Sequence, residues 1–137
     1  RREKAEKNKK NSRKRILVVD DSATVREAMK LMLSKDYSVN TVDSGVAAIR
    51  TIALDAPDLV LLDYEMPVCD GRQTLEMLRS DEVLASVPVI FLTGRKDPAS
   101  MIGVMPLTPS GYILKTSKPA EIKKEIDDFF AKAKPKK

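Results

Sequence analysis

A chain of 137 residues has room for one domain with tails, and no apolar run in it approaches the ~20 residues of a membrane span. The absence of His and the single cysteine, Cys69, exclude histidine general bases, histidine metal ligands and an internal disulfide, so any bound metal must be a hard ion held by oxygen. The net charge of +5 is uneven: residues 1–15 hold nine Lys/Arg against two Glu, whereas residues 16–131 hold twelve basic and eighteen acidic residues, net −6.

Residues 1–13 read as a basic linker or tail, charged and without an apolar stripe. A nucleic-acid-binding arm is the alternative, but no aromatic residues are interleaved to stack on bases. No secretory signal is visible. The chain opens on Arg1 rather than Met, as a piece or processed form of a longer protein would.

Lys14 to Val19 is an apolar strand that ends at Asp20-Asp21. Ser22 is an N-cap for the helix that follows, whose face is Val25, Ala28, Met29 and Met32. Tyr37 to Val42 is a less apolar strand near a sheet edge. Ser44 and Gly45 open a second helix with Val46, Ile49, Ile52 and Ala53. Leu59-Val60-Leu61-Leu62 is a continuous aliphatic run, suited to a central parallel strand, and it stops at Asp63. Asp70 caps a third helix, with Gln73 completing a capping box. Val87 to Leu92 is a fourth strand, ending at Thr93-Gly94.

From Arg95 to Gly111, Pro98, Gly103, Pro106 and Pro109 limit any helix to about two turns, with Met101, Ile102 and Met105 as its face. Tyr112-Ile113-Leu114 is a fifth strand ending at Lys115. Ser117 and Pro119 start a last helix, striped by Ile122, Ile126, Phe129 and Phe130. The domain spans 14–131, and 132–137 form a basic C-terminal tail.

Strand and helix alternate five times. That order calls for an α/β fold with a five-stranded parallel sheet, helices on both faces, and a flavodoxin-like strand order 2-1-3-4-5. The fourth helix is short or irregular. All strand ends then share one edge, which gathers Asp20, Asp21, Asp63, Thr93 and Lys115. Adjacent carboxylates repel unless a cation neutralises them. Lys115 and an oxygen-held divalent metal such as Mg²⁺ would do so, and the chemistry this suits is phosphoryl transfer onto a carboxylate, with Asp63 attacking.

The motifs Val18-Val19-Asp20-Asp21-Ser22, Leu62-Asp63-Tyr64-Glu65-Met66-Pro67 with Asp70-Gly71, Leu92-Thr93-Gly94 and Tyr112-Ile113-Leu114-Lys115 resemble those of CheY-like response regulator receiver domains. The likeness covers about residues 14–131. The intervals of 30 residues from Asp63 to Thr93 and 22 from Thr93 to Lys115 are typical of that family.

The resemblance implies a two-component signalling protein, cytoplasmic and not an enzyme beyond its own phosphotransfer and dephosphorylation. Asp63 would accept phosphate from a sensor histidine kinase or phosphotransfer protein. Mg²⁺ would be held by Asp20, Asp21, Asp63 and the Glu65 backbone carbonyl, with Asp20 acting mainly through water. Thr93 and Tyr112 would be the switch pair, and Glu65 and Arg95 would tune the phosphoryl lifetime. A downstream domain or protein would read the change.

One departure is that Thr116, not Pro, follows Lys115, so a trans bond is expected there. Other readings are a receiver-like interaction module that never carries phosphate, a nucleic-acid-binding protein regulated by this domain, and a small Mg²⁺ phosphatase. The last lacks an Asp-x-Asp signature, since position 65 is Glu.

Overall fold

The computed structural model describes residues 13–94 and 98–132, with side chains of 98–100 left aside. Five strands, β1 (Arg15–Val19), β2 (Ser38–Val42), β3 (Leu59–Asp63), β4 (Val89–Thr93) and β5 (Gly111–Leu114), form one sheet in the order β2-β1-β3-β4-β5. Every pairing is parallel. The helices are α1 (Ala23–Leu33), α2 (Gly45–Leu54), α3 (Gly71–Ser80), α4 (Pro98–Val104) and α5 (Pro119–Lys132), with a 3₁₀ turn at Met105–Leu107. Every residue of β3 and β4 is buried, as a parallel strand covered on both faces requires. β2 is an edge strand.

Alternation along the strands divides the core in two. Leu17, Val19, Val60, Leu62, Val89 and Phe91 face α2, α3 and α4 through Ala48, Ile52, Leu75, Leu78 and Val104. Ile16, Val18, Leu59, Leu61, Ile90, Leu92 and Ile113 face α1 and α5 through Met29, Leu33, Ile122 and Ile126. One row, Val42–Val19–Leu62–Phe91–Tyr112, crosses all five strands in register. The first carboxylates, Asp20 and Asp63, come one residue beyond it.

The caps are where the sequence puts them. The side chains of Ser22, Ser44 and Asp70 accept from the amides of Val25, Ala47 and Gln73, and Asp70 and Gln73 form a complete capping box. Ser117 is one residue early: the last helix is closed instead by Glu121, whose carboxylate accepts from the Lys118 amide at 3.3 Å.

Three apolar faces differ from the sequence reading. In α1 Ala28 is exposed and Leu33 is buried. In α2 the buried residues are Gly45, Ala48 and Ile52, while Val46 and Ala53 face outward. The cause is close packing on α3, since a Cβ on Gly45 would lie 2.2 Å from Thr74 Oγ1. In the fourth helix Val104 is buried, whereas Ile102 and Met105 are exposed. The helix ends at Val104 and Met105 belongs to the 3₁₀ turn, so Met101, Ile102 and Met105 share no helical face.

That proline-rich segment is anchored by Arg79, at the end of α3. Its guanidinium donates to the carbonyls of Leu107 (2.7 Å), Ala85 (2.9 Å), Val87 (2.8 Å) and Thr108 (3.2 Å). Burial lowers its pKa from the ordinary value, but an arginine stays charged there. Among the described residues no peptide bond is cis, so Lys115–Thr116 is trans as expected. No helix among them is long and apolar enough to cross a membrane.

Candidate functional site

Continuing the alternation one residue past β1 and β5 places Asp20, Asp63 and Lys115 on the same side of the sheet. Lys115 extends from the end of β5 across the end of β4. Its Nζ lies 2.9 Å from Asp20 Oδ2 and 3.0 Å from Asp63 Oδ1. Both carboxylates are essentially fully buried. Asp21 is exposed at the mouth, and one carboxylate oxygen from each of Asp20, Asp21 and Asp63 lies within 4.8 Å of the other two.

Two backbone amides position this set. The Ser22 amide donates to Asp20 Oδ1 at 2.9 Å, and the Glu65 amide donates to Asp63 Oδ1 at 3.3 Å. Among the described residues, Asp63 Oδ2 is buried without a hydrogen-bond partner, and Asp20 Oδ2 has the Lys115 ion pair but no directional hydrogen bond. Buried oxygens without donors are costly.

The electrostatics follow from the same geometry. Burial is the main influence on Asp63 and raises its pKa to about 7; Lys115 opposes the rise, Asp20 adds to it, and the Glu65 amide opposes it weakly. For Lys115, burial works against the charge, but its contacts with Asp20 and Asp63 outweigh it and raise the pKa above the ordinary value. With all three carboxylates ionised, the four groups sum to −2, the deficit that one divalent cation cancels.

The donors are all carboxylate oxygens, one exposed residue gives entry, and the buried Asp63 Oδ2 lacks a partner among the described residues. The set therefore fits a hard divalent ion. Asp20, Asp21 and Asp63 could hold it.

Thr93, buried at the end of β4, lies on the opposite side of the sheet by the same alternation. Its carbonyl accepts from the Lys115 amide at 2.8 Å, which ties the two strand ends together. Tyr112 faces the same side as Thr93. Its ring stacks on Phe91 with centroids 5.9 Å apart, and its hydroxyl donates to the Met101 carbonyl at 3.1 Å. Phe91 in turn meets Tyr64, the residue after Asp63, at 5.3 Å. The Glu65 side chain is exposed. Arg95, the other residue expected to tune the phosphoryl lifetime, lies outside the described residues.

The sequence does not single out Arg26. Its guanidinium donates to the Asp20 carbonyl at 2.8 Å. The available signal is its place four residues after the N-cap Ser22, on the helical turn that faces the cap.

A family model described as the response regulator receiver domain matches residues 16–127. The chain is 36% identical over 117 residues to the probable transcriptional regulatory protein NarL of Mycobacterium tuberculosis, a match covering 83% of this chain and 53% of that protein. It is 31% identical over 123 residues to the chemotaxis protein CheY-3 of Vibrio cholerae, covering 88% of this chain and 94% of that one. The signal receiver domain of a histidine kinase from Syntrophus aciditrophicus superposes with a TM-score of 0.79 at 29% identity, over 90% of this chain and 95% of that one. The chain spans about half the length of the transcriptional regulators it matches.

Proposed function

The chain belongs to the family of response regulator receiver domains of two-component signalling, and from that premise we propose that it is a switch operated by phosphorylation of Asp63. The observation that carries the reading is the Lys115 ammonium held between the two buried carboxylates of Asp20 and Asp63, with Asp21 beside them. A structural ion pair needs one carboxylate. Three around one lysine leave a charge deficit that stabilises nothing until a cation binds.

Mg²⁺ is the cation that this oxygen set would take, held by Asp20, Asp21 and Asp63 with the Glu65 backbone carbonyl, and Asp20 acting mainly through water. When bound, it supplies neutralisation for the pocket and for the phosphoryl oxygens. The donor is a phosphohistidine on a sensor histidine kinase or phosphotransfer protein. A carboxylate oxygen of Asp63 forms the O–P bond as the P–N bond breaks, and the imidazole leaves with that electron pair and is protonated. Lys115 and Thr93 donate to the phosphoryl oxygens.

Thr93 then moves toward the new group and Tyr112 turns inward. The turn gives up the hydroxyl's bond to Met101, and the altered surface is read by a downstream domain or protein. Glu65 and Arg95 set how long the acyl phosphate lasts. The relatives named as transcriptional regulators extend well beyond the matched region, which favours an output domain on the same chain.

Incubation with Mg²⁺ and a small acyl-phosphate donor tests this. Intact mass and peptide mapping should find one phosphoryl group on Asp63, absent in Asp63→Asn and absent in chelator. A wild-type protein that stays unlabelled by both the small donor and a phosphorylated histidine kinase would refute the reading.

A further inference from the structure

We propose that Arg26 is a positioning residue for the cation site, acting through the peptide that joins Asp20 to Asp21. This rests on the reading of Asp20, Asp21 and Asp63 as a divalent-cation site. Asp20 and Asp21 lie where β1 gives way to α1, outside the regular hydrogen bonding of either element. Asp20 is fixed on three sides: its amide donates to the Val42 carbonyl at 3.2 Å, its Oδ1 accepts from the Ser22 amide at 2.9 Å, and its Oδ2 faces Lys115 at 2.9 Å. Asp21 is exposed. Its direction follows from the plane of the preceding peptide, and the oxygen of that peptide is the one Arg26 Nη1 holds at 2.8 Å. Arg26 is itself anchored on α1, with its amide bonded to the Ser22 carbonyl at 3.0 Å.

Charge and positioning act in opposite directions here. A positive charge bonded to the Asp20 carbonyl weakens cation binding through its field, so removing it should tighten the site. A guanidinium that orients Asp21 strengthens binding, so removing it should loosen the site. The sign of the change therefore separates the two roles.

The test is Mg²⁺ affinity by calorimetry for the whole chain as Arg26→Met, Arg26→Gln and wild type. Arg26→Met should weaken binding about tenfold, in the range for residues that support a ligand. Arg26→Gln, which keeps a donor and loses the charge, should recover most of it. Amide exchange without metal should speed at Asp21 and Ser22 in Arg26→Met, with the core strands as protected as in wild type. Equal or tighter Mg²⁺ binding by Arg26→Met overturns the proposal and leaves the site reading standing. A wild type that binds no Mg²⁺ overturns both. If Arg26→Met loses core protection, Arg26→Gln decides: affinity near wild type supports positioning, and tighter binding refutes it.

Discussion

The Cβ that Gly71 lacks would lie 2.5 Å from the carbonyl oxygen of Asp63 and 2.8 Å from Tyr64 Cα. The first residue of α3 is pressed directly on the end of the central strand, and its amide donates to the Tyr64 carbonyl at 2.9 Å. Both obstacles are backbone, so neither can swing away. Gly71→Ala should cost about 2 kcal/mol, the usual scale of an overpacked core. It should also slow Mg²⁺-dependent labelling, because the residue displaced is the proposed acceptor. Gly103→Ala, where the added methyl meets nothing within 4 Å among the described residues, should be neutral or mildly stabilising. Urea midpoints for the two variants make the comparison; equal midpoints would contradict it.

The sequence was most informative where one residue carries both the pattern and the chemistry. β1, β3 and β4 are apolar runs that lead into Asp20, Asp63 and Thr93, so strand, edge and candidate site residue come from one pattern. Lys115 is legible in the same way, as the polar residue just past β5, although it reaches Asp63 by passing over a whole strand. Arg26 and Arg79 were not legible. Their partners are backbone carbonyls, which every residue has, so no partner type marks them. The buried face of α2 departs from its periodicity for a related reason. Periodicity favours the bulky Val46, whereas close approach to Thr74 selects Gly45 and Ala48.

Stability should depend on pH through Asp63. Burial, against the pull of Lys115, raises its pKa from 3.8 to about 7 in the folded protein. The folded value exceeds the unfolded one, so this group's contribution is complete below about pH 4 and is lost as pH rises through about 7. Metal-free protein should lose melting temperature from about pH 5 to pH 8 on this account. Mg²⁺ should restore it at the upper end and do little at the lower, since only ionised carboxylates bind the ion. Melting curves with Mg²⁺ and with chelator, at fixed ionic strength, make the test. A Mg²⁺ shift of the same size at both pH values would be inconsistent with it.

A second carboxylate should act in the opposite direction. Asp127 on α5 accepts a hydrogen bond from the buried Tyr37 hydroxyl and lies 2.9 Å from Lys123 Nζ, which also pairs with Asp36 at 2.9 Å. Partial burial tends to raise the Asp127 pKa, but Tyr37 and Lys123 prevail and lower it below the usual value. Its contribution is thus present above about pH 4 and lost as pH falls through the folded value. Asp127→Asn should cost about 1 kcal/mol at neutral pH, because the amide oxygen still accepts from Tyr37 but without the charge that strengthens the bond, and solvent screens the exposed lysine contact. The gap to wild type should close in acid. A constant gap in urea titrations at pH 7 and in acid would show that the charge is not involved.

Val68 holds a φ of 70° and is 96% exposed. It is the centre of a three-residue turn in which the Cys69 amide donates to the Pro67 carbonyl at 2.7 Å. A β-branched residue is poorly suited to positive φ, and a γ-turn of this hand is strained. Full exposure means that no packing offsets the cost, which for such backbone is of order 1–3 kcal/mol. Asn tolerates this region because its short polar side chain bonds locally. Val68→Asn should therefore raise stability by about 1 kcal/mol. Val68→Gly should gain less, because glycine also loosens the unfolded chain. The turn connects Asp63 to the cap of α3, so relief of strain should shift the urea midpoint upward with the slope unchanged. A midpoint at or below that of wild type for Val68→Asn would show that the connection accommodates valine without strain.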